Sequence, residues 1–145
     1  MELLVVLTVI GVIATLSAPA LTQYATRARL DGTTRQIVGL LTLARMRSIG
    51  SRQSHAVRVD PAAGRVTVRN VSTEETLEQQ VRLPRGVAVA VWLGEEPAPE
   101  PVVTFRTSGA LTGRTMALEL DDGEHRRRIT ITGPTGAVTV ADAPG

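Results

Sequence analysis

The chain has 145 residues, with sixteen arginines and no lysine against fourteen acidic residues, and its formal net charge is +2. A net charge this small does not by itself indicate nucleic-acid binding, and three aromatic residues offer no stacking platform for bases. The absence of cysteine excludes a disulfide framework and a thiolate metal site. With about 50 residues assigned to a long N-terminal helix, the remaining ~95 suffice for one small hydrophobic core.

The first stretch, residues 3–26, carries no charged side chain and is almost continuously apolar through Leu16. As a helix rising about 1.5 Å per residue it is roughly 36 Å long, which is enough to cross a hydrocarbon core of about 30 Å. A helix that is apolar on every face must be buried in lipid or among other helices. The sequence therefore predicts a membrane-spanning or filament-core half-helix over residues 1–26, with helix kinks at Gly11 and Pro19.

Two other interpretations of this stretch stay open. A secretory signal peptide has a basic n-region and a shorter apolar core, whereas here Met1-Glu2 precedes a longer apolar run. A plain transmembrane anchor is the more serious alternative. The nearest positive charges lie C-terminal to the run, so the positive-inside rule applied to this sequence would place the following domain in the cytoplasm.

After Arg27 the apolar positions narrow to a stripe, which predicts an amphipathic half-helix over residues 27–50 with one side on a core. Asp31-Gly32 is a soft spot, because glycine costs about 1 kcal/mol in a helix interior, and Gly50-Ser51 is a suitable end. The stripe consists of Leu30, Thr34, Ile37, Leu41 and Ala44.

From His55 the hydrophobic period changes to two, which predicts β-strands and a β-rich domain over residues 51–145. Pro61–Gly64 separates two alternating segments and is typical of a hairpin turn. Residues 94–101 are acidic and rich in proline, which favours a surface loop. The pattern as a whole predicts an α+β fold, a long helix packed across an antiparallel sheet. The predicted strands are residues 55–60, 65–69, 76–83, 87–92, 102–106, 115–120, 127–132 and 137–140.

The N-terminus resembles that of type IV pilins and type II secretion pseudopilins over residues 2–14 (ELLVVLTVIGVIA). Pro19 falls where the helix-kinking proline of those proteins falls. Their Phe-Thr-Leu and basic leader are missing ahead of Glu2, so we expect the full-length precursor, with its prepilin peptidase site, to begin upstream. That leader would supply the basic cytoplasmic flank. The resemblance thus implies a single-pass inner-membrane protein with a methylated N-terminus and a periplasmic C-terminal domain.

The C-terminal half narrows the resemblance to the GspH/FimT branch. Residues 102–109 (VVTFRTSG) and 127–133 (RRITITG) are similar to that branch's strand end and last hairpin, and residues 30–47 resemble its second half-helix. This resemblance implies a type IV pilin-like fold and a minor pseudopilin, a structural subunit near the tip of the type II secretion pseudopilus. Its partners would be other pseudopilins, packed through the N-terminal helices. The alternative is a FimT-type minor pilin of a type IV pilus, able to bind DNA for natural transformation.

Glu2 is the candidate residue for subunit recruitment. A carboxylate at the head of an apolar helix is costly inside lipid and should seek a cation. The resemblance implies that this cation is the N-terminal amine of a neighbouring subunit. The alternative is that Glu2 lies at the lipid headgroups, where the helix N-terminus favours a negative charge without any partner.

No grouping of residues suggests catalysis, so neither enzymatic activity nor a cofactor is expected. The two histidines, His55 and His125, lack a cysteine or a triad spacing around them and are expected to be structural or solvated. Residues 121–124 (DDGE) offer oxygen ligands but lack the spacing of a dedicated calcium loop. We therefore expect a polar hairpin turn there and no metal site.

A basic segment, Arg126-Arg127-Arg128, is the candidate for contacts with DNA phosphates, together with Arg106 and Arg114. Strand alternation would separate the middle arginine from its neighbours, and acidic residues precede the triplet. FimT-type DNA receptors carry Gly-Arg-x-Arg in the last hairpin, where this chain has no arginine (residues 133–138). DNA binding is therefore not favoured. A secretion pseudopilin comes first, a DNA-uptake minor pilin second, and a membrane-tethered binding domain unrelated to filaments third.

Overall fold

A computed structural model describes residues 2–143 of the chain; the side chains of residues 15–22 lie outside the description. One α-helix, α1, runs from Glu2 to Ser51, so the two predicted half-helices form a single element. Nine strands follow within the described residues. They are β1 (His55–Asp60), β2 (Arg65–Asn70), β3 (Thr76–Arg82), β4 (Ala88–Leu93), β5 (Glu96–Pro97), β6 (Val102–Phe105), β7 (Met116–Asp121), β8 (Arg126–Ile131) and β9 (Val138–Asp142).

The strands form two antiparallel sheets, with the orders β3-β2-β1-β6 and β5-β4-β7-β8-β9. The α+β class is confirmed, but the sequence predicted a single sheet. Alternation shows which residues of a strand face the core, but not which strand lies beside it. Here β6 returns across the chain to pair with β1, while β4 pairs with β7, and this exchange divides the strands between two sheets.

The C-terminal half of α1 packs on both sheets and confirms the predicted stripe. Leu30, Ile37 and Leu41 are fully buried, and burial of each such side chain stabilises the fold by about 1.5–3 kcal/mol. They meet side chains from both sheets, including Phe105 of β6 and Ile129 of β8. The helix is therefore part of the core and cannot leave the domain without unfolding it.

The N-terminal half of α1 carries exposed apolar side chains. Leu3 is 78 % exposed and Ile13 is 59 % exposed. Within the part of the chain that is described, no helical segment is both long enough and apolar enough to cross a membrane. The predicted span includes residues 15–22, whose side chains lie outside the described residues, and the membrane-spanning assignment stays a prediction.

Residues 94–101 differ from the predicted loop, because they contain the short strand β5. Glu96 and Pro97 pair with Leu93 and Trp92 of β4. Gly94 makes this possible, since its φ of 70° is a conformation that glycine adopts without strain. The strand ends after two residues. Proline cannot donate to a ladder and is tolerated only at a sheet edge such as this one.

Candidate functional site

Glu2 begins α1, and its side chain is exposed. The helix continues through Gly11 and Pro19. A Cβ added at Gly11 meets no heavy atom within 4 Å, and the side chain of Pro19 lies outside the described residues. The recruiting role of Glu2 and the two helix kinks therefore stay predictions.

The helix changes character at Leu30. Arg27 and Arg29 are exposed, whereas Leu30 is the first fully buried side chain of the docked half. Directly after it, Asp31 Oδ1 accepts a hydrogen bond from Nε of Arg127 of β8 at 2.9 Å. A terminal guanidinium nitrogen of Arg127 lies 2.8 Å from the same oxygen and completes an ion pair. This contact holds the helix against the second sheet at the point where the helix leaves the domain.

Arg127 also donates to Asp142 of β9, so its guanidinium joins one helix and two strands. We call Asp31, Arg127 and Asp142 the helix clamp. Sequence reasoning missed the clamp, since 96 positions separate Asp31 from Arg127. The available signal was one acidic residue among the exposed arginines of this half-helix.

The other two arginines of the basic segment are also paired. Nε of Arg126 lies 2.7 Å from Asp121, and Arg128 lies 3.1 Å from Glu119. Both are cross-strand pairs, because the β7–β8 register sets Asp121 opposite Arg126 and Glu119 opposite Arg128. Each arginine of the segment thus has its own carboxylate, which leaves little uncompensated positive charge for a phosphate backbone.

Arg106 and Arg114 are exposed but lie away from that segment. Arg114 precedes the start of β7, whereas Arg126 is opposite the last residue of β7. A six-residue strand separates its ends by about 17 Å. The structure does not bring the five DNA candidates together, and their contact with DNA stays a prediction.

The acidic residues 121–124 form a hairpin turn, as expected. Oδ1 of Asp122 accepts hydrogen bonds from the backbone N–H groups of Glu124 and His125, at 2.9 and 2.7 Å. Oδ1 of Asp121 accepts one from Gly123 at 2.7 Å. This bond, followed by that from Arg126, holds the pKa of Asp121 below its ordinary value of 3.8. Within the described residues no group of acidic or histidine side chains is suited to holding a metal ion.

His55 is a structural residue, 4 % exposed. Its Nδ1 lies 2.9 Å from the carbonyl oxygen of Gln53, and its backbone N–H donates to Ser48 Oγ at 3.1 Å. Ser48 in turn donates to the carbonyl groups of Ala44 and Phe105. The histidine therefore ties the end of α1 to the start of β1.

The last hairpin turn packs closely against the loop after β6. The N–H of Leu111 donates to the carbonyl oxygen of Gly133 at 2.8 Å, and a Cβ added at Gly133 would lie 2.9 Å from the carbonyl oxygen of Gly113. Glycine at position 133 thus allows the two turns to approach closely.

A helix with an exposed apolar N-terminal half and a C-terminal half docked on antiparallel sheets places the molecule in the type IV pilin-like class. Residues 33–136 match the model of the family described as Type II transport protein GspH. The chain belongs to the GspH family, which confirms the resemblance seen in the sequence. No curated protein sequence matches the chain significantly.

Solved structures with the same fold come from two filament systems. The minor pseudopilin EpsH from the Type 2 Secretion System of Vibrio cholerae aligns with a TM-score of 0.55 at 21 % identity, covering 79 % of this chain and 94 % of that one. The type IV minor pilin FimU of Pseudomonas aeruginosa aligns with a TM-score of 0.62 at 12 % identity, covering 83 % and 92 %. At these identities the likeness shows the fold alone.

Proposed function

We propose that this chain is a minor pseudopilin, a structural subunit of the pseudopilus through which the type II system exports proteins across the outer membrane. The observation that carries the proposal is the two-part helix in a member of the GspH family. Its second half is fixed in the domain core, and most of the described side chains of its first half are exposed and apolar. An apolar surface of that size needs either lipid or other helices around it.

Assembly would move the apolar half-helix from the inner membrane into a bundle of equivalent helices from other pseudopilins. Its apolar side chains are buried both before and after this transfer. The driving force is therefore van der Waals packing, together with a partner for Glu2. An N-terminal amine of a neighbouring subunit is a suitable partner, since a desolvated carboxylate needs a positive charge beside it.

The remaining features of the proposal concern location and processing. The sheet domain faces the periplasm, the first half of α1 anchors the chain in the inner membrane, and prepilin peptidase processes a longer precursor whose new N-terminus is methylated. The exposed arginines at positions 27, 29 and 35 lie where the helix meets the domain. They are placed to contact lipid phosphates before assembly. This role requires no catalytic group.

The experiment is a Glu2→Ala substitution in the full chain, expressed with the other pseudopilins. Membrane insertion should be unchanged, because removing a charge makes the helix more apolar. Recovery of the other minor subunits with this chain should fall about tenfold or more, as expected for losing about 1.4 kcal/mol. Thr8→Ala is the matched control, because the Thr8 hydroxyl bonds only to Leu4 of its own helix in the described contacts.

Equal recovery with Glu2→Ala and wild type would refute the recruiting role. A type IV minor pilin that acts in DNA uptake is the second candidate, since the fold is also that of the type IV minor pilin FimU. Deleting the chain separates the two. A loss of protein export supports the pseudopilin, whereas a loss of DNA uptake with normal export would establish the alternative.

A further inference from the structure

The strands at the edges of the two sheets are β3 and β6 in the first sheet and β5 and β9 in the second. Proteins usually protect such strands, because the unpaired N–H and C=O groups of an edge pair readily with another chain. Charged residues, proline, bulges and very short strands are the common means of protection. In the described part of the chain, three of these edges are protected and β9 is not.

The two edges of the first sheet are protected in different ways. β3 carries the exposed charged residues Glu78 and Arg82, and its pairing with β2 contains a register shift. β6 has four residues, and on its free side the N–H of Thr112 donates to the carbonyl oxygen of Thr104 at 2.8 Å. Neither edge therefore offers a regular row of backbone groups to a partner.

The β5 edge of the second sheet is also closed. β5 has two residues and ends with Pro97, which cannot donate to a ladder. Beyond it, the N–H of Ala98 donates to the carbonyl oxygen of Val91 of β4 at 2.8 Å. The part of β4 that stays open is limited to residues 88–90, a stretch shorter than a usual strand.

β9 has none of these protective features. Before its last residue, Asp142, it has no charged residue and no proline. Its valines and threonine favour an extended backbone. Within the described residues it pairs with β8 alone. One side of β9 is therefore open along its whole length.

The ladder between β8 and β9 shows which backbone groups are open. The N–H of Thr132 donates to the carbonyl oxygen of Ala137, the residue opposite it, at 2.9 Å. Hydrogen-bonded and non-hydrogen-bonded pairs alternate along an antiparallel ladder, so every second residue of β9 turns its N–H and C=O away from β8. These residues are Val138, Val140 and Asp142.

A groove lies beside this open edge, between β9 and α1, with a volume of about 360 Å³. Val38 and Val140 form its apolar wall. Val140 lies on the core side of the sheet, opposite the fully buried Ile129, yet it is 47 % exposed. The helix therefore leaves part of β9 uncovered. A strand added beside β9 would place alternate side chains on this same side, where the groove has room for them.

The groove also holds a cation that the chain does not neutralise. Arg35 lines the groove and is exposed, and within the described residues it forms no ion pair. The nearest acidic side chains are engaged elsewhere, because Asp31 and Asp142 both pair with Arg127. The guanidinium of Arg35 is thus open to a carboxylate, which it can bind through paired hydrogen bonds.

We propose that β9 accepts an extended segment of another protein as a further antiparallel strand of the second sheet. The backbone groups of β9 bind the segment, and the groove selects its side chains. A β-branched apolar residue lies opposite Val140, and a carboxylate two positions away, on the same face, lies beside Arg35. A second copy of this chain, pairing through its own β9, does not supply that carboxylate, because Asp142 is held by Arg127. The proposal goes beyond the secretion role, since it depends neither on membrane anchoring nor on Glu2.

A synthetic peptide of about six residues, the usual length of a strand, tests the proposal with the full chain in detergent micelles. The sequence Thr-Val-Thr-Val-Thr-Glu puts both valines and the glutamate on one face. Fluorescence anisotropy of the labelled peptide should give a Kd of about 100 µM or tighter. At a peptide concentration about ten times the Kd, exchange of the amides of Val138, Val140 and Asp142, read by NMR, should slow about tenfold. The amides of β3 should not change.

The backbone contact is tested from both sides. Val140→Pro removes a donor that β8 does not use, and proline is tolerated at such an edge position. It should weaken peptide binding about tenfold or more and leave unfolding, followed by Trp92 fluorescence, unchanged. A peptide with N-methylated valines leaves the protein untouched and should lose binding equally. A peptide with N-methylated threonines is the matched control and should still bind, because the N–H groups of its threonines point away from β9.

The side-chain contact is tested on α1. Arg35→Gln should weaken binding about fivefold, because it removes the positive charge beside the glutamate, and it should not affect a peptide with glutamine in place of glutamate. Arg29→Gln is the matched control. Arg29 is an exposed arginine of the same helix that does not line the groove, so its substitution should have little effect.

Three results would overturn the proposal. The first is no binding of the peptide at about 1 mM. The second is equal binding of the two N-methylated peptides, which would show that the backbone groups of β9 are not used. The third is a concentration-dependent dimer in sedimentation that Val140→Pro abolishes, which would assign the edge to a second copy. None of these results bears on recruitment through Glu2, so failure here and failure of the secretion role remain distinguishable.

Discussion

Replacing Asp31 with asparagine tests whether the helix clamp fixes the point at which α1 leaves the domain. Asparagine keeps the size of the side chain and its helix preference but removes the charge. The substitution leaves Arg127 with Asp142 alone. We expect the helix to dock more weakly near Leu30, while the rest of the core is unchanged.

The magnitude follows from burial. The side chains of Arg127 and Asp31 are 19 % and 27 % exposed, which lies between two measured regimes. Exposed ion pairs contribute about 0–1 kcal/mol, and breaking a buried pair costs about 3–5 kcal/mol. A loss of about 2 kcal/mol for the docked helical segment is therefore expected, which corresponds to a change of about 30-fold in an opening equilibrium.

Hydrogen exchange of the full chain, read by mass spectrometry, measures that opening directly. Amides of residues 30–38 should exchange about 30-fold faster in Asp31→Asn. Asp142→Asn should change them by about twofold, because Asp142 is 75 % exposed and its ion pair is worth little. Asp121→Asn removes a pair that does not involve α1 and should leave these amides unchanged. Equal exchange in Asp31→Asn and Asp121→Asn would refute the clamp.

Two further predictions concern the turns. Gly136→Ala should cost about 1–3 kcal/mol more than Gly64→Ala in denaturant unfolding followed by Trp92 fluorescence. Both glycines have φ near 60°, but only at Gly136 would the added Cβ overlap the carbonyl oxygen of Gly109; equal costs would contradict this. For Asp121, the lowered pKa means that its ionised form stabilises the fold above the ordinary value of 3.8, and that this contribution is lost as pH falls through the lower folded value. An NMR titration of Asp121 should give a pKa below 3.8. Arg126→Gln should raise this pKa only in part, because the larger cause, the hydrogen bond from Gly123, remains. A pKa at or above 3.8 in the unmodified protein would contradict the assignment.

The strands could be predicted because their two faces differ so strongly. In β1 and β2 buried valines alternate with polar residues, and this alternation does not depend on which strand lies beside them. The division into two sheets could not be predicted, because pairing β6 with β1 is a long-range choice that leaves no periodic signal. The strand β5 was missed because it has only two residues and one of them is proline.

The ion pairs of the basic segment could not be predicted from the sequence either, because they also depend on how the strands pair. Alternation correctly separated Arg127 from its neighbours, and the acidic residues beside the segment were recognised. The identity of each partner depends on register, however. A shift of one residue between β7 and β8 would pair Arg128 with a different residue and would move its side chain to the other face of the sheet. The arginine pair Arg65 and Arg82 was missed likewise, since the two become neighbours only through the pairing of β2 with β3.

Leu30 marks the boundary between the docked half of α1 and its apolar half, and the two halves have different roles. Residues after it complete the domain core, so the docked half of α1 cannot change its partners without unfolding the domain. The described side chains of the apolar half before it contribute nothing to that core, so under the proposed function this half would exchange lipid for other helices while the domain stays folded. Helix packing alone, however, fixes poorly how one domain is turned relative to the next, because an apolar surface is adhesive but not directional. Direction must come from polar groups of the sheet domain, because hydrogen bonds and ion pairs depend on geometry. For this reason the sheet domain and the apolar half-helix have complementary roles in the proposed assembly.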